Sequence, residues 1–314
     1  MDRRSFLVLA AVAATAPFVA CTSRATGEWF TADSFWNRRL PDDAPLDDRS
    51  DGFIAWLRDR TDGFLITGIE GNPWGMPFFE ATDADPTWPV SLEVENPQVE
   101  PLLNEGLRAP YRTVTALTGT GDSPLVILDA DRGYQAALWQ TVFDGSSFSA
   151  TAASIYWADS NGLQPGDTNP DGDPRNRGHR GVAPSTMFVR RSQIARRRID
   201  HVLKVAIPGT AEWHVRPMIR HEEGQGGLIG EGMRLRIRPD VDLATYELSR
   251  PALTIARALQ RYGAIIGDNS GAESIALKVE QDTGQWAGVD LSADSLRSIP
   301  FDDLVFVRAG WPPP

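Results

Sequence analysis

The residues whose ordinary pKa suits acid–base chemistry near neutral pH are the four histidines His179, His201, His214 and His221. Asp200-His201 sets a carboxylate beside an imidazole, which could orient the ring or hold its charge. Neighbouring residues of a strand point to opposite faces, so a histidine merely satisfied inside a sheet is the competing reading. Asp268 follows the apolar run Ala264–Gly267, and Asp159 follows Tyr156-Trp157. Carboxylates at strand ends beside aromatics suit glycoside hydrolysis, where one donates a proton and the other attacks or activates water. A turn aspartate carries the same signature. The candidate catalytic residues are therefore Asp159, Asp200 and Asp268, with His179 or His201 assisting. A lyase version would pair a histidine base with Arg180 or Arg216 neutralising a uronate. Trp36, Trp139 and Trp157 are candidate sugar platforms among ten tryptophans, most of which core packing explains.

Asp167, Asn169, Asp171 and Asp173 alternate along Asp167-Thr168-Asn169-Pro170-Asp171-Gly172-Asp173 as oxygen ligands do in the first half of a calcium loop. Gly178 stands where the bidentate glutamate of an EF-hand belongs, which leaves a structural calcium site or a solvated turn. No HExxH, G-x-S-x-G or phosphate-loop motif occurs. The arginines Arg190, Arg191, Arg196, Arg197 and Arg198 could meet an acidic sugar or headgroup, or form a solvated helix face.

The elements that must position these groups read mainly as β. Short apolar segments cut by Gly, Pro, Asn and Asp fill Phe64 to Trp157, with strands expected at Phe64–Ile66, Tyr111–Val114, Leu125–Leu128 and Tyr134–Trp139. Gln164 to Gly181 reads as loop, and Ser192 as the cap of a short basic helix. Further strands are expected at Ile199–Ile207, Trp213–Arg216, Met233–Ile237, Ala264–Gly267 and Ser274–Val279. Helices are expected over Asp47–Arg60 and from the N-cap Ser249 to Tyr262, with Gly263 ending the second. The pattern predicts a jelly-roll-like β-sandwich, with a long helix near the C-terminus covering a sheet through Leu253, Ala256, Leu259 and Tyr262.

The N-terminus carries Arg3-Arg4 before an apolar run to Ala20, the layout of a twin-arginine signal peptide. Phe18-Val19-Ala20-Cys21 resembles a lipoprotein cleavage box, with Cys21, the sole cysteine, as the acylated residue. Residues 1–20 thus read as signal, 21–28 as lipidated tether and 29–314 as one β-rich domain, exported and anchored outside the cytoplasm. A formal charge of −11 opposes nucleic acid, anionic lipid headgroups and densely charged polyanions as partners and leaves neutral glycans open.

Four segments carry a resemblance: Ser34-Phe35-Trp36-Asn37, Ile199–Leu203, Gly232–Arg236, and Arg257–Gly263 continued by Ile265–Asn269. They look like parts of a widespread group of exported bacterial proteins without an assigned activity. The resemblance implies one continuous domain and no chemistry. The chain departs from the group at His179–Pro184, where a Thr-Ser-Ala-Asp-like run is usual. Residue types then favour a glycan-acting hydrolase or lyase of the cell envelope; a non-catalytic lipoprotein binding glycan or protein is the alternative.

Overall fold

A computed structural model of the chain describes residues 29–93, 99–110 and 121–313. The signal, Cys21 with its tether, and the strand candidate Tyr111–Val114 lie outside the described residues. The fold is mainly β, with fifteen strands in four sheets and four α-helices among the described residues. None of these helices is long and apolar enough to cross a membrane.

The largest sheet runs β1 (Phe64–Thr67), β14 (Ile275–Lys278), β11 (Leu203–Ile207), β13 (Ala264–Asn269), β12 (Arg234–Ile237) and β15 (Leu304–Val307). Side chains alternate along a strand, so Ile66, Val205 and Leu277 enter one core while Thr67, Lys204, Ala206 and Lys278 face the other way. Helices α1 (Ser50–Arg60) and α4 (Arg250–Arg261) join that first core through Phe53, Leu57, Ala252, Ile255 and Leu259. Ser249 caps α4 by accepting from the Ala252 amide, and Gly263 follows its end at φ +70°. The buried stripe of α4 is Ala252, Ile255, Ala256 and Leu259; Leu253 is half-buried and Tyr262 turns into a different core.

That different core lies against a four-stranded sheet of β10 (Ala152–Trp157), β7 (Tyr134–Trp139), β6 (Leu125–Asp129) and β2 (Phe78–Ala81). Val126, Leu128, Ala137 and Tyr156 from this sheet meet Ile265 of β13, with Trp36 and Phe188 in the same cluster. Its other face, through Ile127, Ala136 and Ile155, packs with helix α2 (Glu100–Glu105) and the small sheet β4 (Val90–Leu92), β9 (Phe148–Ala150), β8 (Val142–Phe143). Strands β3 (Thr87–Trp88) and β5 (Leu107–Arg108) form a separate pair. The pairs β1–β14, β11–β13, β2–β6 and β4–β9 are parallel, unlike the antiparallel order of a jelly roll.

Several expected elements shift. The strand expected over Ile199–Ile207 begins only at Leu203, and Trp213–Arg216 makes no strand, only a bridge from His214 to Glu231. Helix α3 (Arg191–Ala195) starts one residue before Ser192, because the Gln193 side chain accepts from the Arg190 amide. In β12 the arginines do not alternate out to water. Arg234 and Arg236 are buried and donate to the carbonyls of Tyr262, Arg38, Gln260 and Pro41, partners that residue alternation cannot reveal.

Candidate active site

The long loop after β10 ends in Gly178-His179-Arg180-Gly181, where all four residues have positive φ: 101°, 45°, 55° and 107°. The glycines suit this left-handed backbone, and a Cβ at Gly178 would lie 2.5 Å from the Ser154 Cβ. For histidine and arginine the same backbone is strained, a condition that clusters at functional sites. The turn aims both side chains at the large sheet. His179 stacks on Trp139 at 4.3 Å between ring centroids, and its Nε2 accepts from Lys204 Nζ at 3.2 Å. An acceptor Nε2 leaves the ring proton on Nδ1.

Lys204 comes from β11 and Asp268 from the neighbouring strand β13. Pairing runs regularly from Leu203–Ala264 to Val205–Ile266 and then slips, so that Ile207 pairs with Asn269 and β13 holds one extra residue. Such a bulge re-aims side chains. Asp268 meets Lys204 Nζ at 2.5 Å, and the missing side chain of Gly267 leaves room for the lysine stem, which passes 3.0 Å from where a Cβ would stand. Arg180 closes the group. Its Nε donates to the fully buried Glu231 at 3.1 Å, and its terminal nitrogens reach the Gly267 carbonyl at 3.1 Å, Glu222 at 3.2 Å and Asp268 at 3.5 Å.

Charge pushes the two carboxylates apart. Burial, Asp268 and Glu231 together outweigh Arg180 and raise the Glu222 carboxyl above its ordinary range. Burial alone would raise Asp268 as well, but the cations Lys204 and Arg180 beside it hold its carboxyl well below the usual carboxylate range. Burial, with Lys204 and Arg180 nearby, keeps His179 neutral far below its ordinary titration. Both carboxylates line a cleft of about 560 Å³. Its walls include Asn72, Asp122, Gln225, Asn269 and Lys278, and Trp74, which is 45% exposed.

Of the residues expected from sequence, His179, Arg180 and Asp268 come together here, with Trp139 stacked behind His179. The others do not. His201 is buried, donating from Nδ1 to the Val202 carbonyl at 2.9 Å and facing the Gln193 amide at 2.7 Å, so both ring nitrogens have partners away from the cleft. Burial, aided by Arg190 and Arg196, brings its pKa down to about 4. Asp200 is bound by Arg198, and Asp159 by Arg175 at 3.0 Å. Trp36 is fully buried with its indole nitrogen on the Gly162 carbonyl, Trp139 is the backing of His179, and Trp157 packs on Tyr134 beneath Arg175. None of these three indoles is a free platform.

In the expected calcium loop the carboxylates are held by guanidiniums: Asp171 by Arg216 at 2.5 Å and Asp173 by Arg175 at 2.8 Å. That pairing also removes Arg216 from substrate binding. Asp167 reaches His214 at 3.4 Å, and Asn169 is buried with its amide on the Gln164 and Pro217 carbonyls. Among the described residues no group of three or more His, Cys, Asp or Glu is placed to hold a metal.

Glu222, Trp74 and both lysines were not among the expected site residues. One sequence signal pointed to the lysines. Of the 31 basic residues only Lys204 and Lys278 are lysine, and each interrupts an apolar strand at a position facing this site. Comparison with family models, with curated proteins and with solved structures found no match to this chain.

Proposed function

We propose that this chain is a glycoside hydrolase of the cell envelope in which Glu222 and Asp268 are the working carboxylates and Trp74 is the face on which a sugar ring stacks. The observation that carries this reading is one guanidinium, Arg180, which besides the buried Glu231 joins the two cleft-lining carboxylates Glu222 and Asp268, with an exposed indole on the cleft wall. Glycoside hydrolysis needs a carboxylic acid to protonate the leaving oxygen and an ionised carboxylate to attack or to activate water. Glu222, raised by its surroundings, is suited to carry the proton; Asp268, held ionised by Lys204 and Arg180, is suited to the second role. Lys204 already donates to His179 Nε2, so the imidazole acts as a fixed, neutral support for the lysine rather than as a base. This argues against a lyase built on that histidine.

The remaining parts of the reading concern place and architecture. The two larger sheets share a core and are read as the layers of a β-sandwich with α4 as its cover, residues 29–314 forming one domain. Export through residues 1–20 and acylation at Cys21 would hold the cleft outside the cytoplasm, within reach of envelope glycans.

Reducing-end release from a panel of envelope and plant glycans tests the proposal, with Glu222→Gln and Asp268→Asn proteins alongside. Release by the wild type, lost in both variants while their melting curves stay sigmoidal, is the expected result. Retention of a glycan without release would instead favour the binding lipoprotein, and an unsaturated product would favour a lyase.

A further inference from the structure

The two lysines of this chain, one on each of two adjacent strands, suggest what the glycan carries. The single bridge between β11 and β14 pairs Ala206 with Ala276 in antiparallel sense, and continuing that register sets Lys204 opposite Lys278 on the cleft-facing side. Like charges directly opposite one another on a sheet are destabilising unless anions compensate them. Lys204 is compensated: it is 6% exposed and bonded to Asp268 at 2.5 Å. Lys278 is not compensated to the same degree. Among the described residues its ion pair is with Asp122, at 3.6 Å, and that carboxylate is 48% exposed. Asp268 also faces Lys278 but is already taken by Lys204 and Arg180. The Lys278 side chain is 20% exposed and lines the cleft with Trp74 and Asp268. Every other basic residue is an arginine, so the choice of lysine here favours a compact point charge over a planar fork.

We infer that Lys278 is a specificity-determining residue that binds the carboxylate of a uronate in the glycan seated on Trp74. This rests on the hydrolase reading for the identity of the cleft, and goes beyond it in naming an acidic sugar as the substrate class. The bound carboxylate would give Lys278 a closer anion than the half-exposed Asp122 at 3.6 Å. It would also explain how a chain of net charge −11 accepts an acidic polymer, since the cleft presents Lys278 locally while charges beyond about 8–10 Å are screened at physiological salt.

The test measures binding separately from cleavage. Calorimetric titration of the full-length Glu222→Gln protein, which keeps Asp268 on Lys204, uses oligogalacturonate and oligoalginate as probes, each beside its carboxyl-reduced neutral counterpart. A charge-assisted contact predicts about ten- to a hundredfold tighter binding of at least one uronate over its neutral counterpart. Adding Lys278→Met should bring that ratio to about one by weakening only the uronate, and Lys278→Arg should restore part of it. Equal affinity for acidic and neutral forms, binding of neither, or a preference that survives Lys278→Met overturns the inference. Uronate preference without cleavage by the wild type would leave the inference standing and remove the hydrolase.

Discussion

Glu222 and Asp268 illustrate how one guanidinium can serve two carboxylates that titrate in opposite directions. Asp268 is ionised because Lys204 sits on it, so removing that cation should move its titration upward. In Lys204→Met the acidic limb of the kcat/KM profile is expected at higher pH than in the wild type; an unmoved limb would refute the assignment. Glu222→Gln should lower the rate by about 10²–10⁴-fold, and by much less on aryl glycosides whose leaving group needs no proton. His201 makes a separate prediction about stability. Its pKa in the fold is about 4, against about 6.5 when unfolded, so the unfolded chain binds the extra proton first. Its contribution is complete above pH 6.5 or so and declines as pH falls towards about 4, a loss on the order of 3 kcal/mol. Urea midpoints at pH 7 and pH 4.5 should show this, and the slope should flatten in His201→Gln.

Among the elements, the left-handed turn at Gly178–Gly181 and the bulge in β13 do the positioning. The turn depends on glycine. A methyl at Gly178 meets the Ser154 Cβ at 2.5 Å and the Ala153 carbonyl at 2.6 Å, with φ at +101° besides. Gly178→Ala is expected to cost about 1–3 kcal/mol and to reduce hydrolysis more than that loss of folded protein explains, because His179 and Arg180 would be re-aimed. Comparing the activity of the folded fraction with the melting temperature separates the two effects. Full activity in Gly178→Ala would mean that the turn merely connects.

Across the whole molecule, tryptophans divide between buried indoles such as Trp36 and the exposed Trp74 on the cleft wall. Trp36, from the segment before α1, is buried in the core shared by the two larger sheets and bonds the Gly162 carbonyl. Trp36→Ala should cost about 3–5 kcal/mol and lower the melting temperature, with hydrolysis retained below the transition. Trp74→Ala should leave the melting temperature nearly unchanged and raise KM, since the exposed indole supports little but the cleft wall. Calorimetry beside steady-state kinetics would expose either assignment if the two effects were exchanged.

The sequence by itself determined the β-rich character, the strands at Phe64, Leu125, Tyr134, Ala264 and Ile275, and the capped helix at Ser249, because apolar periodicity and turn chemistry are local. It also singled out His179, Arg180 and Asp268. Strands as short as Thr87–Trp88 and Val142–Phe143 exist only through their partners and carry no periodicity to read. The site as a group was decided by tertiary structure. Arg180 and Asp268 are 88 positions apart in the chain, and only a strained turn facing a bulged strand brings them to one carboxylate–guanidinium contact. Asp200, Asp159, Asp171 and Arg216 carry the same residue types as a site, yet the fold gives Asp200 to Arg198, Asp159 to Arg175, and Asp171 and Arg216 to each other, because which opposite charge lies within reach is set by the packing of the chain and not by residue type.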